Sequence, residues 1–256
     1  MTTAILSALP EEQGSLMHAL HGAQALEHAG RRFWRGELYG QPVVLALSGI
    51  GKVAAATTAT LLAERFGARR MVFTGVAGGL GDGVQVGDVV VARDFLQHDM
   101  DASPIFARWE LPGYGRARMP CDAALSAALL EAASAYLAGA AGQFDAMSPV
   151  GNGGRAARAH QGLIISGDRF VSTSAESGAL RQALGMAGHE ALAVEMEGAA
   201  VAQVCHDYGL PFAAVRTISD RADDAAHVDF PHFVTHVASR YADGIVHGLL
   251  QGLSKT

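Results

Sequence analysis

Between Ala191 and Asp220 the chain reads ALAVEMEGAAVAQVCHDYGLPFAAVRTISD, and this stretch restricts the fold more than any other. An apolar run, Ala191–Val194, ends in Glu195-Met196-Glu197. A second run, Pro211–Ile218, carries Arg216 and ends in Ser219-Asp220. The residues between them have helical character, so the unit reads strand, helix, strand. Two buried strands thus bring three carboxylates and one guanidinium to one edge of a sheet. Charges at such a place are costly unless paired or used. In open α/β sheets the carboxyl edge of the strands is also where ligands bind.

The chain has 256 residues, half of them hydrophobic and 17% charged, with a net charge of -6. That material suffices for a large core. The acidic balance argues against nucleic acid as a partner, since phosphate binding wants a basic surface. The opening MTTAILSALPEE has neither the basic region nor the long apolar core of a signal peptide. No apolar run reaches the ~18 residues of a membrane span. Cys121 and Cys205 lie far apart and suggest no disulfide framework. A cytoplasmic location, with no membrane and no nucleic-acid partner, is therefore expected. Lysine occurs only at Lys52 and Lys255, which leaves Schiff-base chemistry little to use.

Along the chain, strands are expected at Ala4–Leu9, Arg31–Leu38, Pro42–Leu47, Arg70–Thr74, Val84–Ala92 and Gln161–Ile165. Helices are expected at Glu11–His21, Lys52–Phe66, Asp122–Leu137, Glu176–Gly185 and Phe233–Leu253. Ala102–Pro120 reads as irregular. Gly139–Ala159 is rich in Gly, Ala, Ser and Arg without periodicity and reads as a mobile insertion (139–159). The alternation shows no linker-like break, so residues 1–256 are read as a single α/β domain.

Several segments invite functional readings. Gly49-Ile50-Gly51-Lys52-Val53-Ala54 fits a dinucleotide fingerprint, yet the next strand ends in Thr74-Gly75 and offers no acid for a ribose diol. Gly75–Gly83 carries five glycines and reads either as a turn or as a backbone cradle for an anion. His98-Asp99-Met100-Asp101 and the pair His232 and His236 lack a full ligand set, so no metal and no cofactor are expected. Glu12 follows the first strand. Beside Glu197 and Asp220 at comparable places, it completes a convergent acidic site.

In order along the chain, Ala8-Leu9-Pro10-Glu11-Glu12, Ser48–Ala55, Thr74–Leu80, Val86–Val91, His98–Asp101, Ser166-Gly167-Asp168-Arg169-Phe170, Val194–Glu197 and Arg216–Asp220 are eight segments in register. Together they resemble the methylthioadenosine/S-adenosylhomocysteine nucleosidases of the purine nucleoside phosphorylase superfamily. The resemblance implies a single-domain, three-layer α/β fold with a central mixed, partly barrel-like sheet flanked by helices. It implies hydrolysis of the N-glycosidic bond of 5′-substituted adenine nucleosides, with release of adenine. Glu12 would activate water, Asp220 would protonate purine N7, and Arg216 would sit near the water. Met196 and Glu197 would hold the ribose, Phe170 would stack on adenine, and the backbone of Val171 would read its edge. Gly78 and Ser219 would lie beside the substrate. Ile50 and Phe230 would wall the 5′ group, together with Ile105, Phe106 and Pro112 from a partner chain in a homodimer. Arg108 and Arg116 in that loop could meet a carboxylate such as that of homocysteine.

The chemistry fits these residue types. Adenine leaves more readily when N7 is protonated, burial favours the protonated form of an acid, and a carboxylate stabilises an oxocarbenium-like sugar. A base on the other side of the bond can deprotonate water. One departure is Val76, which stands where these nucleosidases commonly have Ser. The alternatives are a phosphorylase of the same fold or a non-catalytic nucleoside-binding protein. Apolar Phe73 and Val76 stand where bacterial hexameric phosphorylases have Arg and Ser or Thr, which favours water over phosphate.

Overall fold

The computed structural model describes residues 1–139, 155–223 and 225–254, with the backbone alone at 227–229, 232 and 236. Residues 140–154 of the expected insertion, and the side chains of His232 and His236, lie outside the described residues.

The strands are β1 (Thr3–Ser7), β2 (His21–His28), β3 (Arg31–Leu38), β4 (Gln41–Leu47), β5 (Arg70–Gly79), β6 (Val89–Gln97), β7 (Arg118–Pro120), β8 (Ala159–Ser166), β9 (Ala191–Glu195) and β10 (Phe212–Asp220). The helices are α1 (Pro10–Ala19), α2 (Lys52–Glu64), α3 (Ala123–Gly139), α4 (Ser174–Met186), α5 (Gly198–Asp207), α6 (Ala226–Phe233) and α7 (Ser239–Leu253).

β5, β9, β8, β6 and β10 pair in succession, and β10 returns to pair with β5, closing a ring. From β5 the sheet continues outward through β1, β4 and β3 to β2. Pairing is mixed: β1, β8 and β10 run parallel to β5, β6 and β5 respectively, whereas β10 is antiparallel to β6 and β9 to β5. The sheet is thus partly a barrel and partly open, as the resemblance implied.

Alternation along the strands sends side chains to two layers. Ala4 and Leu6 of β1 pack with Ala55, Ala59 and Leu62 of α2 and Val201 and Cys205 of α5. Ile5 faces the other way, toward Leu16 of α1 and Val246 and Leu250 of α7. α3 packs against α7 through Leu129, Ala133, Tyr241 and Ile245. Three layers follow: helices, sheet, helices. Among the described residues, no helix is long and apolar enough to cross a membrane.

Four expectations need correction. The helix expected through His21 stops at Ala19, because Leu20 is extended and Gly22 takes a positive φ of 63°. His21–His28 then forms the edge strand β2, almost wholly exposed, so no apolar alternation announced it. The strand expected to end at Thr74 continues through the glycines to Gly79, and the next begins only at Val89 rather than Val84. The single C-terminal helix is three pieces: α6, a π turn at Val234–Ala238, and α7. The two cysteines, distant in sequence, line one small cavity with His206 and Phe212; both are free thiols.

The start of α5 is tightly fitted. A Cβ at Gly198 would lie 2.2 Å from Cε1 of Phe95, itself fully buried. Gly198→Ala is expected to destabilise the protein by about 1–3 kcal/mol, the usual cost of overpacking. Urea unfolding should show a lower midpoint at an unchanged slope; an unmoved midpoint would mean that the Phe95 ring yields freely.

Candidate active site

The carboxyl ends of β5, β9 and β10 and the start of α1 enclose a cavity of about 520 Å³. Glu12, Ile50, Gly78, Phe170, Val171, Met196, Glu197, Ser219, Asp220 and Phe230 all line it. Of the residues given a place in this chain's own site, the structure brings all together at the cavity except Arg216; Ile105, Phe106, Arg108, Pro112 and Arg116 do not line it.

Glu12 sits in the first turn of α1, after Pro10. Its Oε2 accepts hydrogen bonds from the backbone N–H groups of Ala8 (2.7 Å) and Leu9 (2.9 Å), and its Oε1 from that of Val76 (3.0 Å). Burial nevertheless pushes this carboxyl above its ordinary range, partly offset by the Leu9 N–H and the charge of Arg216. Val76 contributes its backbone donor and an apolar side chain to the cavity wall.

Asp220 ends β10. Its Oδ1 accepts from Ala222 N–H (2.8 Å) and its Oδ2 from the Ser219 hydroxyl (2.8 Å). Both carboxylates lie against β5 where that strand has no side chain. A Cβ at Gly75 would be 2.8 Å from Glu12 Oε1, and one at Gly78 would be 3.0 Å from Asp220 Oδ1. The first part of the glycine-rich segment, Gly75–Gly79, is a strand stripped bare for two acids, and the turn comes only at Gly81–Gly83. Three strand positions separate these glycines, a rise of about 10 Å, and both acids line the same cavity.

Arg216 is buried behind the wall. Its Nη2 donates to Glu195 Oε2 at 2.7 Å, its Nη1 to the carbonyl of Phe73 at 3.3 Å, and its guanidinium lies 4.1 Å over the Phe73 ring. Glu195, for which no separate task was expected, also accepts from the Ser166 hydroxyl and from the N–H groups of Glu197 (3.2 Å) and Gly198 (2.8 Å). It thereby serves the N-terminus of α5 and aims Glu197. The signal for it was its alternation with Glu197 across Met196.

Glu197 accepts the Gly51 N–H at 2.8 Å, and Asp168 accepts that of Lys52 at 2.8 Å. The Gly51 and Lys52 donors at the start of α2 are therefore engaged with carboxylates of the chain itself, which argues against the dinucleotide reading. Phe170 and Phe230 meet edge to face at 5.6 Å between centroids across the mouth. Leu9, Val194 and Pro231 add apolar wall that the sequence did not single out. Arg169 lines the rim and pairs with Glu176 at 2.8 Å. Arg108 is engaged by Asp101 (3.9 Å) and lies 4.8 Å over Trp109. His98 and Asp99 are not gathered at a metal site: Asp99 holds Lys52, and the His98 ring packs under Gly167.

A family model described as the phosphorylase superfamily matches residues 2–251. A curated relative from Mycobacterium tuberculosis, 5′-methylthioadenosine/S-adenosylhomocysteine nucleosidase, is 35% identical over 255 residues, covering 94% of each chain. The nucleosidase of that name from Neisseria meningitidis, solved with methylthio-immucillin-A, superposes with a TM-score of 0.84 at 35% identity, covering 98% of this chain and 99% of that one. The Streptococcus pneumoniae enzyme with a transition-state inhibitor gives a TM-score of 0.82 at 31% identity, over 99% and 100% of the two chains.

Burial, and after it the charge of Glu195, pushes Glu197 from 4.5 up to about 8. Unfolding releases this proton between those values. The stability it contributes is whole below pH 4.5 and is lost as the pH rises through about 8. Glu197→Gln carries no such proton. Its stability relative to the wild type, read from denaturant unfolding, should therefore climb across that window; a constant difference would show that Glu197 titrates normally.

Proposed function

The chain belongs to the phosphorylase superfamily, in its 5′-methylthioadenosine/S-adenosylhomocysteine nucleosidase family, and we propose that it hydrolyses the N-glycosidic bond of 5′-substituted adenine nucleosides to release adenine. The observation that carries hydrolysis, rather than phosphorolysis, is the state of Arg216. Its charge is consumed by Glu195 inside the wall. Arg169, the other cation named at the cavity, lies beside Phe170 and pairs with Glu176. Among the described residues that line the cavity, a phosphate nucleophile would meet the Glu12 carboxylate with no free cation to hold it. A water molecule meets a base.

The roles follow from chemistry at each place. Adenine stacks on Phe170 and is read by the Val171 backbone, and Asp220 delivers a proton to N7 as the C–N bond breaks. The electron pair of that bond leaves with the purine. Met196 and Glu197 hold the ribose. As positive charge builds on the sugar, the Glu197 carboxylate form is favoured and stabilises it. Glu12 takes the proton of the water that adds to the anomeric carbon. Arg216 acts through Glu195 and its charge on Glu12, so it positions rather than reacts. Ile50, Leu9, Phe230 and Pro231 receive an apolar 5′ group such as an alkylthio substituent.

Support for a homodimer comes from exposed apolar residues. Ile50 is 58% exposed and Ile105 82%, with Phe106 and Pro112 also uncovered. A second copy would bury them and complete the 5′ wall. Free thiols at Cys121 and Cys205 accord with a reducing, cytoplasmic compartment, and the reaction with a place in methionine salvage.

With methylthioadenosine the protein should release adenine and a free sugar at the same rate in phosphate-free and phosphate buffer. Asp220→Asn and Glu12→Gln should each lower kcat by at least ~10²-fold with binding largely kept. Phosphate-dependent turnover would transfer the chain to the phosphorylases. Sedimentation should show a dimer, and Phe106→Ala should weaken 5′-alkylthio substrates more than adenosine. A fully active monomer would remove the shared wall.

A further inference from the structure

Two segments that carry different parts of the cavity, and a third that lies outside its lining, meet at one lysine. Lys52 follows Gly51, whose N–H is donated to Glu197 on the ribose side. Its ammonium, largely buried, reaches both oxygens of Asp99 and lies 3.4 Å from Asp168 Oδ2. Asp168 stands two residues before Phe170 on the adenine side, accepts the Lys52 N–H, and donates its own N–H to Asp99 Oδ2 at 2.9 Å. The adenine-side loop is further stitched to the Asp99 segment by the His98 N–H, donated to the Ser166 carbonyl at 2.9 Å. The fit there is close: a Cβ on Gly167 would lie 2.2 Å from His98 Nε2.

None of these contacts touches the reacting atoms, and the ammonium is not among the groups lining the cavity. We propose that Lys52 is a positioning residue which, by bridging Asp99 and Asp168, fixes the separation between the ribose-holding and adenine-stacking walls of the cavity. This rests on the nucleoside reading above. The electrostatics make the joint two-sided. With the ammonium in place, two carboxylates are drawn to one cation. Without it they keep only backbone N–H donors and no opposing charge, and the loops that bear them repel. Neutralising Lys52 therefore removes the ionic tie between the Gly51–Lys52 segment on the ribose side and the Asp168 loop on the adenine side, and the repulsion between Asp99 and Asp168 shifts that loop away from its place.

A ligand that touches one wall is indifferent to that separation, whereas a ligand that spans both is not. The test is calorimetric titration with free adenine and with a carbocyclic adenine nucleoside, whose ring oxygen is replaced by carbon so that its C–N bond is not hydrolysed. Lys52→Met should weaken the nucleoside by ~10-fold or more while adenine changes by less than ~2-fold, the scale of a charge-assisted contact. Lys52→Arg, which keeps the bridge, should restore the nucleoside. Asp168→Asn keeps an acceptor for the Lys52 N–H and removes one charge, so it should give the same split at smaller size, and it carries the test if Lys52→Met does not fold. Equal losses for both ligands, or none for either, would overturn the proposal and leave Lys52 as an ordinary stabiliser of α2. Wild-type protein that binds neither ligand would overturn the nucleoside reading, and the proposal with it.

Discussion

The buried ion pair between Arg216 and Glu195 is the interaction around which the carboxyl edge of the barrel is arranged. Both side chains are almost completely shielded from water. Each would be costly alone, and removing one partner of such a pair typically costs about 3–5 kcal/mol. What the pair provides is placement. Arg216 comes from β10 and Glu195 from β9, strands that do not pair directly with each other but both border β5. The same Glu195 carboxylate receives the N–H groups opening α5, and so fixes the backbone from which Glu197 projects. Fold and site share one joint.

The cavity holds more acid than base. Glu12, Glu195, Glu197 and Asp220 all line it, and Arg216 answers one of them. Backbone N–H donors supply much of the remaining compensation, reaching Glu12, Glu197 and Asp220 from Ala8, Leu9, Val76, Gly51 and Ala222. These donors hold carboxylates without neutralising them. Such an interior suits a reaction in which a neutral substrate becomes cationic at the sugar. It is inhospitable to anions.

Much of this was legible in the sequence because buried strands leave apolar runs and polar residues at their ends stand out. β1, β8, β9 and β10 were readable for that reason, and so were Glu12, Glu197 and Asp220. Where burial gave no pattern, the reading failed. β2 is an exposed edge with small and charged residues, and its neighbour α1 appeared to run into it. The end of β5 looked like a loop, because the reason for its glycines lies in Glu12 and Asp220, remote in sequence. Arg216 was found as a residue but not as a partner: its lying behind the wall depends on Glu195 and Phe73, which only the closed ring brings to it. The role of Glu195 was hidden by its likeness to Glu197 two positions on.

The bare stretch of β5 has a bearing on how such a site tolerates change. At Gly75 and Gly78 the space a side chain would fill is already occupied by the two acids, one from the N-terminal end of the chain and one from near its C-terminal end. β5 itself lies inside the ring, hydrogen-bonded to β1, β9 and β10. Drift at either glycine thus collides with function and with the sheet at once. At Val76, between them, the hold on Glu12 is made by the backbone N–H, while the side chain is buried among its apolar neighbours and faces the cavity. The hold on Glu12 is thus independent of which side chain stands there, although the packing is not. Neighbouring positions on one strand are therefore constrained in different ways, two by the volume of residues distant in sequence and one by a main-chain contact and its own packing.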